Sequence, residues 1–103
     1  MAVTAALFAA GTMTNTLDTV YTVPGASQAI VTYASFHNKT GGTVTVKLVF
    51  NHSGDKIILD LSLGASETFI FKERPLLETG DLIKVQAGAG TSIDYYISGG
   101  IVT

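Results

Sequence analysis

Cysteine is absent from this 103-residue sequence, and charge is scarce, since Asp, Glu, Lys and Arg together make up 14% of the chain. The lack of cysteine excludes a disulfide-stapled scaffold and a thiolate metal site. An ordinary soluble domain carries roughly 25% charged residues, which help to keep a small, surface-rich protein in solution. Because 47% of the residues are hydrophobic, the chain is expected to cover much of its surface against other proteins.

Clustered basic residues and long apolar runs are missing as well. The six Lys and Arg residues are dispersed and the net charge is −2, whereas a phosphate-binding surface needs clustered cations. The apolar N-terminal stretch is shorter than the roughly 20 residues that cross a bilayer, and it lacks the positive charges that begin a signal peptide. The sequence therefore predicts no nucleic-acid partner and no membrane partner.

Short runs of β-branched and aromatic residues recur along the whole chain, separated by Gly, Asn and Asp clusters, and no amphipathic helix is visible. The chain length is that of one domain. These features predict an all-β fold, a single antiparallel β-sandwich that is jelly-roll-like and has seven or eight strands. Residues 1–16 are expected to form an N-terminal arm or a first strand, and residues 17–103 the sandwich domain. The predicted strands cover residues 17–23, 29–37, 43–51, 55–61, 68–72, 82–87, 92–97 and a possible last strand at 101–103.

Alternation within these strands separates a core face from an outer face. Val44, Val46, Leu48 and Phe50 share one face of their strand, as a half-buried strand requires. The same pattern assigns a second group of residues to the core: Ile57, Leu59, Leu61, Phe69, Phe71, Ile83, Val85, Ile93, Tyr95 and Ile97. Among the predicted core residues, we expect Phe50, Leu59, Phe69 and Val85 to be almost inaccessible to solvent.

The opposite faces are not cleanly polar, which suggests a protein-contact surface. One explanation is a patch between subunits. A second is that in some strands the other set of alternate residues faces the core, and a third is that a terminal arm covers the patch within one monomer. The arm is itself expected to pack on a neighbouring subunit. The candidate interface residues are Leu7, Phe8 and Met13 in the arm, with Val31, Tyr33, Val49, Ile58, Ile70 and Tyr96 in the strands.

Residues that could carry chemistry are few and are not brought together by the sequence pattern. His37 and His52 are the two imidazoles, and they are expected at opposite ends of a hairpin. A zinc site needs three or four converging donors. Asp81 is expected to bond nearby backbone N–H groups at a turn. We therefore predict a non-enzymatic protein with no catalytic residues, no cofactor and no metal site.

The order of strands and turns resembles small β-sandwich proteins of tailed-bacteriophage particles, which serve as capsid decoration proteins or as head, neck or tail components. The resemblance covers residues 17–102 and is carried by structural turns such as Val23-Pro24, Gly80-Asp81 and Ser98-Gly99. It implies a virion structural protein, most simply a capsid decoration (cement) protein that stabilises the shell by binding between capsid subunits. The resemblance transfers no individual functional residue.

On this hypothesis the partners are other copies of the chain, as a homo-oligomer and specifically a trimer, together with the major capsid protein or another virion protein. The location is the virion, assembled in the host cytoplasm. One alternative is a component of the phage neck or tail. Another is a carbohydrate-binding β-sandwich module, in which Tyr33, Tyr95 and Tyr96 provide stacking faces.

Overall fold

The computed structural model describes residues 2–103, which form two antiparallel sheets with no helix in that range. This confirms the predicted antiparallel β-sandwich. The nine strands in the described range are β1 Val3–Thr12, β2 Asp18–Thr22, β3 Gln28–Asn38, β4 Val44–Asn51, β5 Asp55–Leu63, β6 Thr68–Phe71, β7 Leu76–Leu77, β8 Leu82–Ala87 and β9 Ile93–Val102.

The strand count differs from the predicted seven or eight for three local reasons. Val3–Thr12, in the segment expected to be an arm or a first strand, forms β1 on the chain's own β9; Met1 of that segment lies outside the described residues. Leu76–Leu77 forms the short β7 beside β3, where no strand was predicted. The possible last strand at 101–103 is not separate, because β9 continues to Val102.

Most strands pair with partners that are distant in sequence, and the β4–β5 hairpin is the exception among the strands of residues 2–103. The five-stranded sheet has the order β1-β9-β3-β6, with β7 also paired to β3, and the four-stranded sheet has the order β2-β8-β4-β5. Just before β1 begins, Ala2 exchanges two backbone hydrogen bonds of 3.1 and 3.0 Å with Thr103. The two ends of the described chain therefore lie side by side in the five-stranded sheet.

The core lies between the sheets and consists of the inward side chains of alternating residues. Phe50 and Val85 are buried, as predicted. Leu59 and Phe69 are only half-buried, because they lie on the edge strands β5 and β6 and have a neighbouring strand on one side only. The expectation that they are almost inaccessible is therefore wrong.

Bulges explain where the predicted alternation fails. The β4–β5 register pairs Leu48 with Leu59 and then Val49 with Ile57, so Ile58 is the extra residue. A bulge of this kind puts two residues of one strand opposite one residue of its partner and shifts the alternation. As a result Ile57, which was assigned to the core, is 62% exposed.

A second bulge corrects the assignment of Val31 to the outer face. The β3–β9 register passes from Val31 directly to Tyr33 and leaves Thr32 unpaired. Val31 is consequently buried in the core cluster, while Tyr33 keeps its predicted outward position and is half-buried. The two residues lie on opposite faces although their separation in sequence is even.

Phe8 and Met13, which are predicted to pack on a neighbouring subunit, lie inside the sandwich. Phe8 is the extra residue of a bulge in β1, and its ring packs against that of Tyr21, with centroids 4.7 Å apart. The Met13 N–H donates to the Ile93 carbonyl, and the Met13 carbonyl accepts a hydrogen bond from the Thr91 N–H. Both side chains are buried in the chain's own core, so neither is available to a neighbour in this conformation.

Candidate protein-contact face

Most of the side chains on the outward side of the five-stranded sheet are apolar. Residues that pair directly across antiparallel strands place their side chains on the same face, so the register identifies the members of this face. Ser98 pairs with both Leu7 and Tyr33, and Tyr96 pairs with both Ala10 and Ser35. We call this surface the outer face; its apolar residues are Val3, Ala5, Leu7, Ala10, Ile30, Tyr33, Ile70, Leu76, Tyr96 and Val102.

Most of the exposed large apolar side chains of residues 2–103 lie on this outer face. Five of the seven belong to it, and the other two, Ile57 and Ile58, lie on β5 of the four-stranded sheet. Val3 is 67% exposed, Leu7 55% and Tyr96 45%. The Tyr33 and Tyr96 rings meet edge to face, with centroids 6.5 Å apart. The apolar side chains thus form one surface instead of isolated exposed residues.

The two sheets also differ sharply in charge. Asp94 is the one Asp, Glu, Lys or Arg residue within the five strands of the first sheet. The strands of the second sheet are shorter in total and contain six such residues, namely Asp18, Lys47, Asp55, Lys56, Asp60 and Lys84. The four-stranded sheet therefore presents an ordinary solvated surface, and the five-stranded sheet does not.

Asp94 lies at one end of the outer face, and its charge is locally compensated. Thr12 donates a hydrogen bond of 2.7 Å to Asp94, and the Lys39 ammonium lies 3.1 Å from the same carboxylate oxygen. These contacts, the Thr12 hydrogen bond first, hold the pKa of Asp94 below its usual value. The middle of the outer face, around Leu7, Tyr33 and Tyr96, is left without a charged strand residue.

The structure brings together four of the predicted interface residues and separates the other five. Leu7, Tyr33, Ile70 and Tyr96 all lie on the outer face. Ile58 is exposed on β5 of the other sheet, and Phe8, Met13 and Val31 are in the core. Contact of any of the nine with a partner protein stays a prediction.

Val49 faces outward on the four-stranded sheet but is not accessible. It is 1% exposed and does not belong to the core cluster. Its direct cross-strand neighbours are Ile57 and Lys84, and the Lys84 ammonium forms an ion pair of 2.9 Å with Asp55. The neighbouring side chains therefore cover Val49. The expectation that Val49 is exposed is wrong, and its contact with a partner protein stays a prediction.

The sequence pattern missed the contributions of Val3, Ile30 and Leu76 to the outer face. Val3 lies in the segment for which the sequence predicts either an arm or a first strand, and Leu76 is in the two-residue β7. Ile30 faces outward because the bulge at Thr32 fixes the phase of β3. The lack of charge in the segments that form this sheet is a sequence signal that could have identified the face.

The two histidines are each held in a separate local contact. His37 lies 2.7 Å from the Thr68 hydroxyl on the outer face. His52 Nδ1 lies 2.9 and 3.0 Å from the two carboxylate oxygens of Asp81. Residues 2–103 contain no group of three or more His, Cys, Asp or Glu side chains that could hold a metal ion.

The His52–Asp81 contact was not foreseen from the sequence, because 29 positions separate the two residues. The prediction that Asp81 bonds a nearby backbone N–H is confirmed, since the Glu78 N–H donates to it at 2.8 Å. A groove of about 380 Å³ lies beside this pair and is lined partly by Phe50 and Leu76. The pair joins the β4–β5 loop to the turn before β8 at the rim of this groove.

The three tyrosines of the carbohydrate-binding alternative do not share one face of the sheet. Tyr95 packs against the core, and burial raises the pKa of its hydroxyl. Tyr33 and Tyr96 share the outer face, but their ring planes are inclined at 68° to each other. The three rings therefore do not lie together as one flat surface.

No helix in the described part of the chain is both long and apolar enough to cross a membrane. No protein-family model and no curated protein sequence matches the chain.

Solved structures share the fold at low sequence identity. One, described as Bacillus endospore appendages that form a family of disulfide-linked pili, has a TM-score of 0.59 and 18% identity over 99% of this chain and 87% of that chain. PirA has a TM-score of 0.50 and 15% identity over 95% of this chain and 92% of that chain. A chain of the infectious bursal disease virus Gt strain has a TM-score of 0.34 and 8% identity, over 97% of this chain and 32% of that one, which is too low to define a shared fold.

The comparisons do not confirm the resemblance to bacteriophage structural proteins. They show that the β-sandwich of this chain has the same fold as an endospore appendage protein and PirA.

Proposed function

We propose that this chain is a non-enzymatic structural subunit that assembles with copies of itself through the outer face of its five-stranded sheet. The observation that carries the proposal is the contrast in charge between the sheets, one charged strand residue against six. An exposed apolar surface of this extent is characteristic of a protein contact. A nearly uncharged face also meets a second copy of itself without charge repulsion.

The outer face has a suitable size for such a contact. The strands β1, β9 and β3 have about ten residues each, and the shorter β6 and β7 lie beside β3. With strands about 4.8 Å apart and a rise of about 3.3 Å per residue, the surface measures at most roughly 20 by 30 Å. That surface of about 600 Å² approaches the roughly 800 Å² that each partner contributes to a stable interface. An interface of standard size would therefore use the whole of this face.

The polar contacts and the fold support a structural role. His37 and His52 are already engaged with Thr68 and Asp81, and both contacts connect neighbouring segments of the sandwich. The appendage protein of similar fold is described as forming disulfide-linked pili. The present 103 residues contain no cysteine, so in this proposal the copies are held together by non-covalent contacts.

A narrower proposal places the assembly on a virus shell, where the chain acts as a capsid decoration protein. Its support is the order of strands and turns over residues 17–102. In this setting the outer face contacts a neighbouring copy, a capsid subunit or both. Electron microscopy of the concentrated chain, alone and with isolated shells, distinguishes fibres from shell-bound oligomers.

The test is sedimentation velocity over a range of protein concentrations with single charged substitutions. We expect the unmodified chain to associate, and Tyr96→Lys and Ile70→Lys to weaken association by at least about tenfold, as expected when a central aromatic or apolar contact is removed. Ile57→Lys is the matched control, because Ile57 is equally apolar and 62% exposed but lies on the other sheet.

Circular dichroism and thermal unfolding show whether each variant is folded. An unmodified chain that stays monomeric at high micromolar concentration would contradict the proposal. Loss of association in Ile57→Lys, with no effect of Tyr96→Lys, would place the contact on the opposite sheet.

A further inference from the structure

Each sheet ends in edge strands whose outer backbone groups have no partner strand within residues 2–103. The edges are β1 and the β6–β7 side in one sheet, and β2 and β5 in the other. An edge strand offers a row of free N–H and C=O groups to any other chain. Natural proteins protect such edges with charge, proline, short length or bulges.

Three of the four edges carry these protective features. The β2 edge is five residues long, contains Asp18 and is soon followed by Pro24. The β5 edge contains three charged residues, Asp55, Lys56 and Asp60. The β6–β7 side consists of strands of four and two residues, separated by a segment with three charges and a proline, residues 72–75.

The β1 edge lacks charge and proline over its full ten residues. Its bulge lies at Phe8, so the register from Val3 to Leu7 is regular, and Ala2 continues the backbone pairing. The buried Phe8 ring fixes this strand on the core. The segment Val3–Leu7 is thus a regular, firmly held and unprotected edge.

We propose that Val3–Leu7 of β1 pairs antiparallel with the same segment of a second copy, about a two-fold axis at Ala5. This inference rests on the proposed self-assembly and specifies one contact between the copies, at the β1 edge. Such a contact is isologous, so the same residues serve both copies. It would join the two five-stranded sheets into one continuous sheet.

The side chains of the segment suit this register. Val3, Ala5 and Leu7 all point to the outer face, because they pair with Val102, Gly100 and Ser98 of β9. In the proposed contact Val3 of one copy lies opposite Leu7 of the other, and the two Ala5 residues face each other. The pairing therefore covers two of the most exposed apolar side chains of the described chain, and no charge is buried.

Disulfide trapping tests the register directly, because the chain has no cysteine of its own. Residues directly opposite in an antiparallel pair have Cα atoms about 4.5–5.5 Å apart, within the roughly 4.4–6.8 Å that a disulfide spans. Ala5→Cys is expected to give covalent dimers under mild oxidation at least about tenfold faster than Ser62→Cys. Ser62 is the control because it is exposed on the protected β5 edge.

A charge swap tests the same contact without a covalent bond. Ala5→Lys and Ala5→Glu are each expected to weaken dimerisation about fivefold or more, since like charges directly opposite are destabilising. An equimolar mixture of the two variants should restore it. Unfolding midpoints of the separate variants show that the fold is retained.

The outcomes separate this inference from the proposed function. The β1 contact is refuted if the unmodified chain associates, Ala5→Cys cross-links no faster than Ser62→Cys, and the charged Ala5 variants associate like the unmodified chain. The outer-face assembly then stands. If Ala5→Cys cross-links mainly to Ser62→Cys in a mixture, β1 pairs with β5 and the two-fold arrangement is wrong. If the unmodified chain stays monomeric at high micromolar concentration, the proposed function itself fails.

Discussion

The substitution Phe50→Ala tests the assignment of the core of the sandwich. Phe50 is 4% exposed and lies in the middle of the four-stranded sheet, opposite Ile83 on one side and Lys56 on the other. Removing a buried phenyl ring loses its transfer free energy and leaves a cavity, at a combined cost of about 3–5 kcal/mol. The backbone on both sides is held by strand pairing, so the cavity cannot readily collapse.

That loss is large compared with the total stability of a domain of this size, about 5–15 kcal/mol. Since 1 kcal/mol lowers the melting temperature of a 60–100-residue domain by about 4–8 °C, the midpoint should fall by at least about 12 °C. Urea titration followed by circular dichroism measures the free energy of unfolding. It is done at one low protein concentration, because association would itself add stability.

Ile57→Ala is the matched control for this measurement. Ile57 lies on the adjoining strand and is 62% exposed, so its truncation should change the free energy of unfolding by no more than about 0.5 kcal/mol. A cost below about 1 kcal/mol for Phe50→Ala, or an equal cost for the two variants, would refute the assignment of Phe50 to the core.

Three further predictions test contacts elsewhere in the sandwich. Asn38→Ala should cost about 2–3 kcal/mol in urea unfolding, because the buried Asn38 amide donates to three backbone carbonyls that would lose this partner. Gly99→Ala should lower the melting temperature far more than Gly41→Ala. A methyl group added at Gly99 would collide with the carbonyl of Ile30, whereas one added at Gly41 would have no described atom within 4 Å of it apart from its chain neighbours. The pKa of Asp94 is lowered in the folded state. Its contribution to stability is therefore present above the ordinary carboxyl pKa and is lost as the pH falls through the lowered value. Asp94→Asn should make the free energy of unfolding less sensitive to acid than it is in the unmodified chain.

Strict alternation allowed the sequence to predict the sandwich and much of its core. In β4, Val44, Val46, Leu48 and Phe50 are all buried, as the period of two predicts. The predicted assignment of side chains to the core or the outer side failed at bulges, because one inserted residue moves every later side chain of the strand to the other face. No residue type in the sequence identified Thr32, Ile58 or Phe8 as bulge positions.

The candidate site was only partly predictable for a related reason. The outer face combines β1 and β9 from opposite ends of the chain, and its members are adjacent only because of the sheet order. The His52–Asp81 contact likewise joins two loops that are distant in sequence. Composition predicted that an apolar surface exists, but the pairing of strands decides where it lies.

The most direct test of the central claim is hydroxyl-radical footprinting of the unmodified chain in dilute and in concentrated solution, read residue by residue by mass spectrometry. We expect Leu7, Tyr33, Ile70 and Tyr96 to be oxidised in the dilute chain and protected after association, while Ile57 on the other sheet is oxidised equally in both. Equal oxidation of the outer face in both solutions, or protection confined to Ile57 and its neighbours, would contradict the claim that the five-stranded sheet forms the contact.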